Sequence, residues 1–221
     1  MNYYSLGISD DLNVIGEYPQ IEKATDYNLS AIDSYWNVSW NKSPDFSPVY
    51  KVKIRNKAKA TNLLNNLSGF YGLTMDEDLK SLFSKFNLPK HHFYPVQVSH
   101  LKRELNYYWF HFVDSLLAYV DFRKTTFESF KKSPFRIVEE LRFSSLDELH
   151  KNESELTFEN GIRLKKIVLK ADFPEFDIIS LWGITPLFLV SENLKIELEK
   201  SRLTGFTFNE YKQLITSRTP T

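Results

Sequence analysis

Apolar and polar residues along this chain alternate with two different periods, and the places where the period changes predict its elements. Val49–Ile54 (VYKVKI) alternates apolar with basic, the pattern of a half-buried strand. Tyr94, Val96 and Val98 alternate in the same way, and Tyr107–Val113 (YYWFHFV) is strand-forming through its rings and β-branched residues. The segments GIRLKKIVLK, FDIISLW and LFLV predict further strands. Helical spacing takes over elsewhere. NKAKATNLLNNL offers Ala58, Leu63, Leu64 and Leu67 as a buried side. Met75, Leu79, Leu82, Phe83 and Phe86 share a helical face behind a Thr74/Glu77 capping box, with Asn87 and Pro89 as the stop. SSLDELHKN predicts a short helix capped by Ser144 or Ser145. Ser191 caps a last helix that turns Leu194 and Leu198 inward, and Gly205 suits the left-handed residue that closes many helices.

Residues 1–50 carry little periodicity, with turns expected near Ser43-Pro44 and Ser47-Pro48. RKTTFESFKK reads as charged surface, and the tail TSRTPT as frayed. Strands and helices mix without a regular βαβ rhythm, and no Pro/Gly/Ser-rich linker divides the chain. The expectation is one α+β domain over residues 1–221, a mixed sheet with several helices.

Two stretches repeat each other. Leu79, Lys80, Lys85, Leu88 and Phe93 recur 115 residues later as Leu194, Lys195, Lys200, Leu203 and Phe208. Met75–Phe93 and Val190–Phe208 are therefore expected to be related helix–strand units, which supply scaffold and not chemistry.

Composition narrows the function. The 28 basic and 28 acidic residues cancel, so the basic stripe of a nucleic-acid binder is missing. With no cysteine, disulfides, thiolate nucleophiles and Cys-based zinc sites are excluded. No apolar run approaches the ~18 residues of a membrane span, and the N-terminus lacks the basic start and apolar core of a secretory signal. A cytoplasmic protein without membrane or nucleic-acid partners is expected.

Candidate chemistry is sparse. His91 and His92 point to opposite faces of a strand and cannot easily grip one ion. His100, His111 and His150 have no metal-binding spacing, so neither metal nor cofactor is expected. His111, Asp114 and Ser115 hint at a triad but lack a Gly-flanked nucleophile turn, and the seven scattered glycines form no phosphate loop. Asp10-Asp11 reads as a turn. Asp114, Asp121 and Glu128 lie seven apart, which on a helix would align three carboxylates, whereas a strand there dissolves the pattern. A hydrolase using Asp114 or Asp121 with a histidine is the alternative to a non-enzymatic role. The rings of Trp36, Trp40, Tyr107, Tyr108 and Trp109 suit core packing or, where exposed, a partner interface.

The ordered segments YYSLG…GEYPQ, LTMDEDLKSLFSKFNLPKHHFYPVQV, YYWFHFVDSLLAYVDFRKTTF and LFLVSENLKIELEKSRLTGFTF resemble the immunity proteins of bacterial polymorphic toxin systems. The most recognisable element, Ser-Glu-x-Leu-Lys…Leu-x-Gly-x-x-Phe, is here Ser191, Glu192, Leu194, Lys195, Leu203, Gly205 and Phe208. The first copy carries Thr74-Met75-Asp76 in place of a Ser-Glu start. The resemblance implies no catalytic residues. It implies neutralisation by binding a cognate toxin domain encoded nearby, without assigning the surface that does so.

Overall fold

A computed structural model of the chain describes residues 2–113 and 116–216. In order, the elements are β1 (Tyr3–Ile8), α1 (Leu12–Ile15), β2 (Ile21–Lys23), β3 (Lys51–Ile54), β4 (Leu63–Leu64) and β5 (Leu73–Asp76). Next come α2 (Glu77–Phe83), β6 (His91–His100), β7 (Arg103–Phe112), β8 (Thr126–Lys132), β9 (Phe135–Leu141) and α3 (Leu146–Ser154). The last are β10 (Asn160–Leu169), β11 (Ile178–Ser180), β12 (Phe188–Ser191), α4 (Glu192–Lys200), β13 (Phe206–Glu210) and β14 (Leu214–Thr216). The fold is α+β with strand predominant, in three sheets ordered β2-β3-β6-β7-β5-β4, β11-β12-β1-β13 and β14-β10-β8-β9.

The repeat is a repeat of structure. In the first unit β5 runs into α2, α2 returns the chain to β6, and β7 lies antiparallel between β5 and β6. In the second, β12 runs into α4, α4 leads to β13, and β1 lies antiparallel between them. The registers agree. Met75 faces Tyr108 as Val190 faces Tyr4, and Phe93 faces Phe110 as Phe208 faces Leu6. On the outer edge, β4 sets Leu63 against Met75 as β11 sets Ile178 against Val190.

Polar contacts repeat as well. The helix caps are Asp76, accepting from the Leu79 amide at 3.0 Å, and Ser191, accepting from the Leu194 amide at 3.2 Å. Buried hydroxyls of Tyr107 and Tyr3 donate to the carbonyls of Thr61 (2.6 Å) and Phe176 (2.7 Å). Burial, with Asp76 nearby for Tyr107 and Asp177 for Tyr3, holds both phenols well above their ordinary pKa. The ammonium groups of Lys80 and Lys195 lie over the rings of Tyr108 (3.7 Å) and Tyr4 (4.9 Å).

The two units also lock reciprocally. After α2, the Asn87 amide donates to the Asp177 carboxylate (2.9 Å); after α4, the Thr204 amide donates to the Asn62 side-chain oxygen (2.8 Å). In return the Asp177 amide donates to Asn87 O (2.7 Å) and the Leu63 amide to Thr204 O (3.1 Å). Leu79, Phe83, Leu194 and Leu198 then meet Leu6, Met75, Phe110 and Val190 in one buried cluster shared by both units.

Each unit carries an addition. β3 joins the first unit in parallel through Val52 and Val98, followed outward by β2. After the second unit, β14 pairs in parallel with β10, where Ile167 is fully buried. The chain linking β2 to β3 is a mostly irregular, ring-rich stretch. The chain before β10 forms instead an arm, the β8–β9 hairpin followed by α3. The base of this arm buries Phe127, Phe143 and Leu149.

Several expectations require correction. NKAKATNLLNNL is not a helix but a turn leading to β4, because Leu63 and Leu64 are buried on opposite faces of a sheet edge. The cap of α2 is Asp76; Thr74 belongs to β5 and donates to Asn66 at 2.8 Å. Helix α2 ends at Phe83, ahead of Asn87 and Pro89. Gly205 has φ +100° but does not close α4, which ends at Lys200; a Cβ there would fall 2.1 Å from Leu63 O, so glycine permits the close approach of the two units. RKTTFESFKK is not wholly surface, since Thr125, Thr126 and Phe127 are buried. The tail TSRTPT lies almost wholly outside the described residues. Because α2 and α4 fill one cluster from equivalent positions, Leu79→Ala and Leu198→Ala should each lower stability by about 2–5 kcal/mol, measured by denaturant unfolding.

Candidate functional site

The loops that join the outer two strands of each unit, 65–72 and 181–187, are equivalent, and between them opens a cleft of about 840 Å³. One wall is Leu67, Gly69 and Phe70; the facing wall is Trp182 and Pro186, with Phe188 and Ile8 from β12 and β1. The segment that follows β1 adds Asp10, Leu12 and Tyr18.

Local chemistry holds these walls in place. Asn66 donates to Gly72 O (2.9 Å) and accepts from Thr74 Oγ1 (2.8 Å), which pins the first loop. Asn65 is fixed to Gln20 and Ile21 through its amide and its side-chain oxygen. Trp182 packs edge-on against Tyr71 and beside Phe188. Asp11 caps the short α1 turn and leaves Asp10 exposed at the rim. Leu12 (58% exposed) and Tyr18 (63%) stand uncovered beside it. Among the described residues the cleft presents rings, amides and the carboxylate of Asp10, groups suited to apolar contact and hydrogen bonding.

The residues singled out from sequence are dispersed. His91 and His92 lie on β6; His91 Nδ1 meets Pro89 O (2.7 Å) and His92 Nε2 meets Ser43 Oγ (3.0 Å). His150 in α3 bonds Gly183 O, and His111 on β7 bonds Ser39 O at 2.9 Å. Asp121 pairs with Lys124 (3.2 Å). No described histidine hydrogen-bonds Asp121, so the acid–base couple of the hydrolase alternative is not formed there. Asp114 and Ser115 lie outside the described residues. The three-carboxylate helix is not formed: Leu116–Tyr119 is a 3-10 turn and Glu128 sits on β8 beside Arg163. Among the described residues no group of three His, Asp or Glu side chains could hold a metal ion.

Of the ring candidates, Tyr107 and Trp109 are core, Tyr108 is half-buried under Lys80, Trp40 is half-buried, and Trp36 is exposed. The Ser191–Phe208 element is the capped helix and strand of the second unit, so its recognisable residues define architecture. Sequence reasoning missed the cleft altogether. A usable signal existed: Asn-Tyr-Tyr occurs at Asn2–Tyr4 and again at Asn106–Tyr108, and marks β1 and β7 as equivalent strands. With that match, the two loops beside the cleft become predictable as partners.

No protein-family model matches the chain, and no curated protein matches it. No helix among the described residues is long and apolar enough to cross a membrane.

His111 offers a test of the buried layer behind the irregular segment. It is fully buried, and that burial pushes its pKa down from 6.5 to about 4, with His92 opposite it adding to the shift. An unfolded chain binds this proton below pH 6.5 while the folded one does not until about pH 4, so stability is lost as pH falls through that window. Urea unfolding at several pH values should show a loss of up to about 3 kcal/mol between those limits. The loss should flatten in His111→Gln, which keeps a donor for Ser39.

Proposed function

We propose that this protein is a non-catalytic binder, an immunity protein that neutralises a toxin domain by covering it. The observation that carries this reading is the open, ring-lined cleft between two equivalent loops, with uncovered apolar side chains and amides at its rim. The ordered resemblance to polymorphic-toxin immunity proteins supports it and supplies the class of partner. In this reading a segment of the toxin inserts an apolar side chain between Trp182, Phe188 and Phe70, the uncovered Leu12 and Tyr18 close around it, and Asp10 meets a basic residue of the toxin.

Protection requires nearly all toxin to be bound at low concentration, hence nanomolar affinity or about −12 kcal/mol. Interfaces of roughly 1,600 Å² reach that value through a few ring anchors. Calorimetry of the chain with the toxin domain encoded beside it should give one-to-one binding in that range, and co-expression should rescue growth. Trp182→Ala should weaken binding by about 2 kcal/mol or more while the chain stays folded. No heat of binding, together with cell death despite soluble protein, would defeat the proposal.

A further inference from the structure

The arm carries a feature that the fold does not compensate. Two pairs of like charges face each other directly across β8 and β9: Glu128 opposite Glu140, and Lys131 opposite Arg136. Directly opposed like charges are destabilising. The acidic pair is neutralised from β10, where Arg163 meets Glu128 at 2.8 Å and Lys165 reaches Glu140 at 2.8 Å and Glu128 at 3.6 Å. The basic pair has no anionic partner among the described residues, and the neighbour of Lys131 on β10 is the uncharged Asn160. Lys132 adds a third positive charge at the tip, lying over the ring of Phe158.

The same tip is where exposed apolar surface collects. Phe135 (59% exposed), Val138 (51%) and Phe158 (91%) are uncovered, and Ile137 is exposed beside them. The ring of Phe130 lies across Gly161, where any Cβ would fall 2.4 Å from it, so the glycine lets this ring flatten onto the sheet. The base of the arm touches the loop that supplies Trp182: Ile184 packs with Phe127 and Leu149, and His150 bonds Gly183 O at 2.8 Å.

We infer that the arm tip is a second contact for the partner, shaped for an acidic protein surface that has an apolar recess. The partner grips the hairpin end from both faces: its carboxylates provide the counter-charge that Lys131 and Arg136 lack on one face, while Phe135 and Phe158, beside Lys132 on the other, fill the recess. This rests on the binding reading above and identifies the toxin's docking face as acidic. A protein is favoured over a polyanion by the acidic residues set among the basic ones, Glu139 on β9 and Glu159 next to Phe158.

The test uses the full chain and the toxin domain encoded beside it, with Lys131→Glu and Arg136→Glu made singly. In the free chain each variant replaces a repulsion by an attraction and should raise Tm by about 1–3 °C. Against the toxin domain each should weaken binding by about tenfold or more, chiefly through the association rate, and wild-type affinity should fall with added salt. Gain of stability with loss of binding is the expected result. Wild-type binding that the variants leave unchanged overturns the arm contact and leaves the binding reading standing. No wild-type binding overturns both. Charge-sensitive binding to duplex RNA or to phosphatidylserine vesicles, with none to the toxin domain, overturns the protein partner.

Discussion

Neither four-stranded unit can cover its own inner face, and the rest of the architecture depends on that constraint. One helix of seven or nine residues spans only part of a sheet, as α2 and α4 do. The apolar surface beside them, on Leu6, Met75, Phe110 and Val190, is buried in one cluster with side chains of both units. Approach must then be close, which explains a glycine at position 205 against Leu63 O, and backbone groups brought near the seam must be satisfied. The reciprocal bonds of Asn62 with Thr204 and of Asp177 with Asn87 satisfy them at both ends. The cleft is a by-product of this arrangement: two equivalent loops brought side by side leave a gap, and their differing residues, Leu67 against Trp182, give it two unlike walls.

Much of this was legible in the chain, and the limits follow physical lines. A strand that alternates, such as Lys51–Ile54, one dense in rings, such as Arg103–Phe112, and a helix with a polar cap, such as the one behind Ser191, announce themselves locally. Leu63 and Leu64 did not, because a two-residue edge strand has no period and only its pairing with β5 makes it a strand. The cleft was invisible for a related reason. Its residues come from three separated stretches, and none has a composition that marks a site; Asp10 reads as a turn residue and Trp182 as the end of a strand. The 115-residue repeat was visible in the helices, but the Tyr-rich central strands that complete it are displaced in order along the chain.

The functional proposals share one physical theme, which is incompletely satisfied surface. A folded chain usually hides its rings and pairs its charges. Here most of the core does so, down to the buried phenols of Tyr3 and Tyr107. Leu12 and Tyr18 at the cleft and Phe135 and Phe158 on the arm depart from that rule, each beside a charge. One place is in the segment that follows β1 and the other in the arm before β10, both outside the matched strands of the two units and the α2 and α4 helices. Elements added to a repeated frame are where a binding protein can acquire a partner without disturbing its core.

The placement of β1 has a consequence for the order in which the protein can assemble. Tyr3 pairs with Ser191 and Tyr4 with Glu210, so β1 is translated long before either of the strands that flank it. At ribosomal speeds of about 5–20 residues per second, β1 waits roughly 10–40 s for its neighbours. Through that interval both of its hydrogen-bonding edges are open, and Leu6 has nothing to pack against from the second unit. The first unit is whole by Phe112 and can offer its inner face as a temporary shelter. Nascent chains of this protein are thus dependent on early protection of a six-residue strand whose permanent neighbours are translated far behind it.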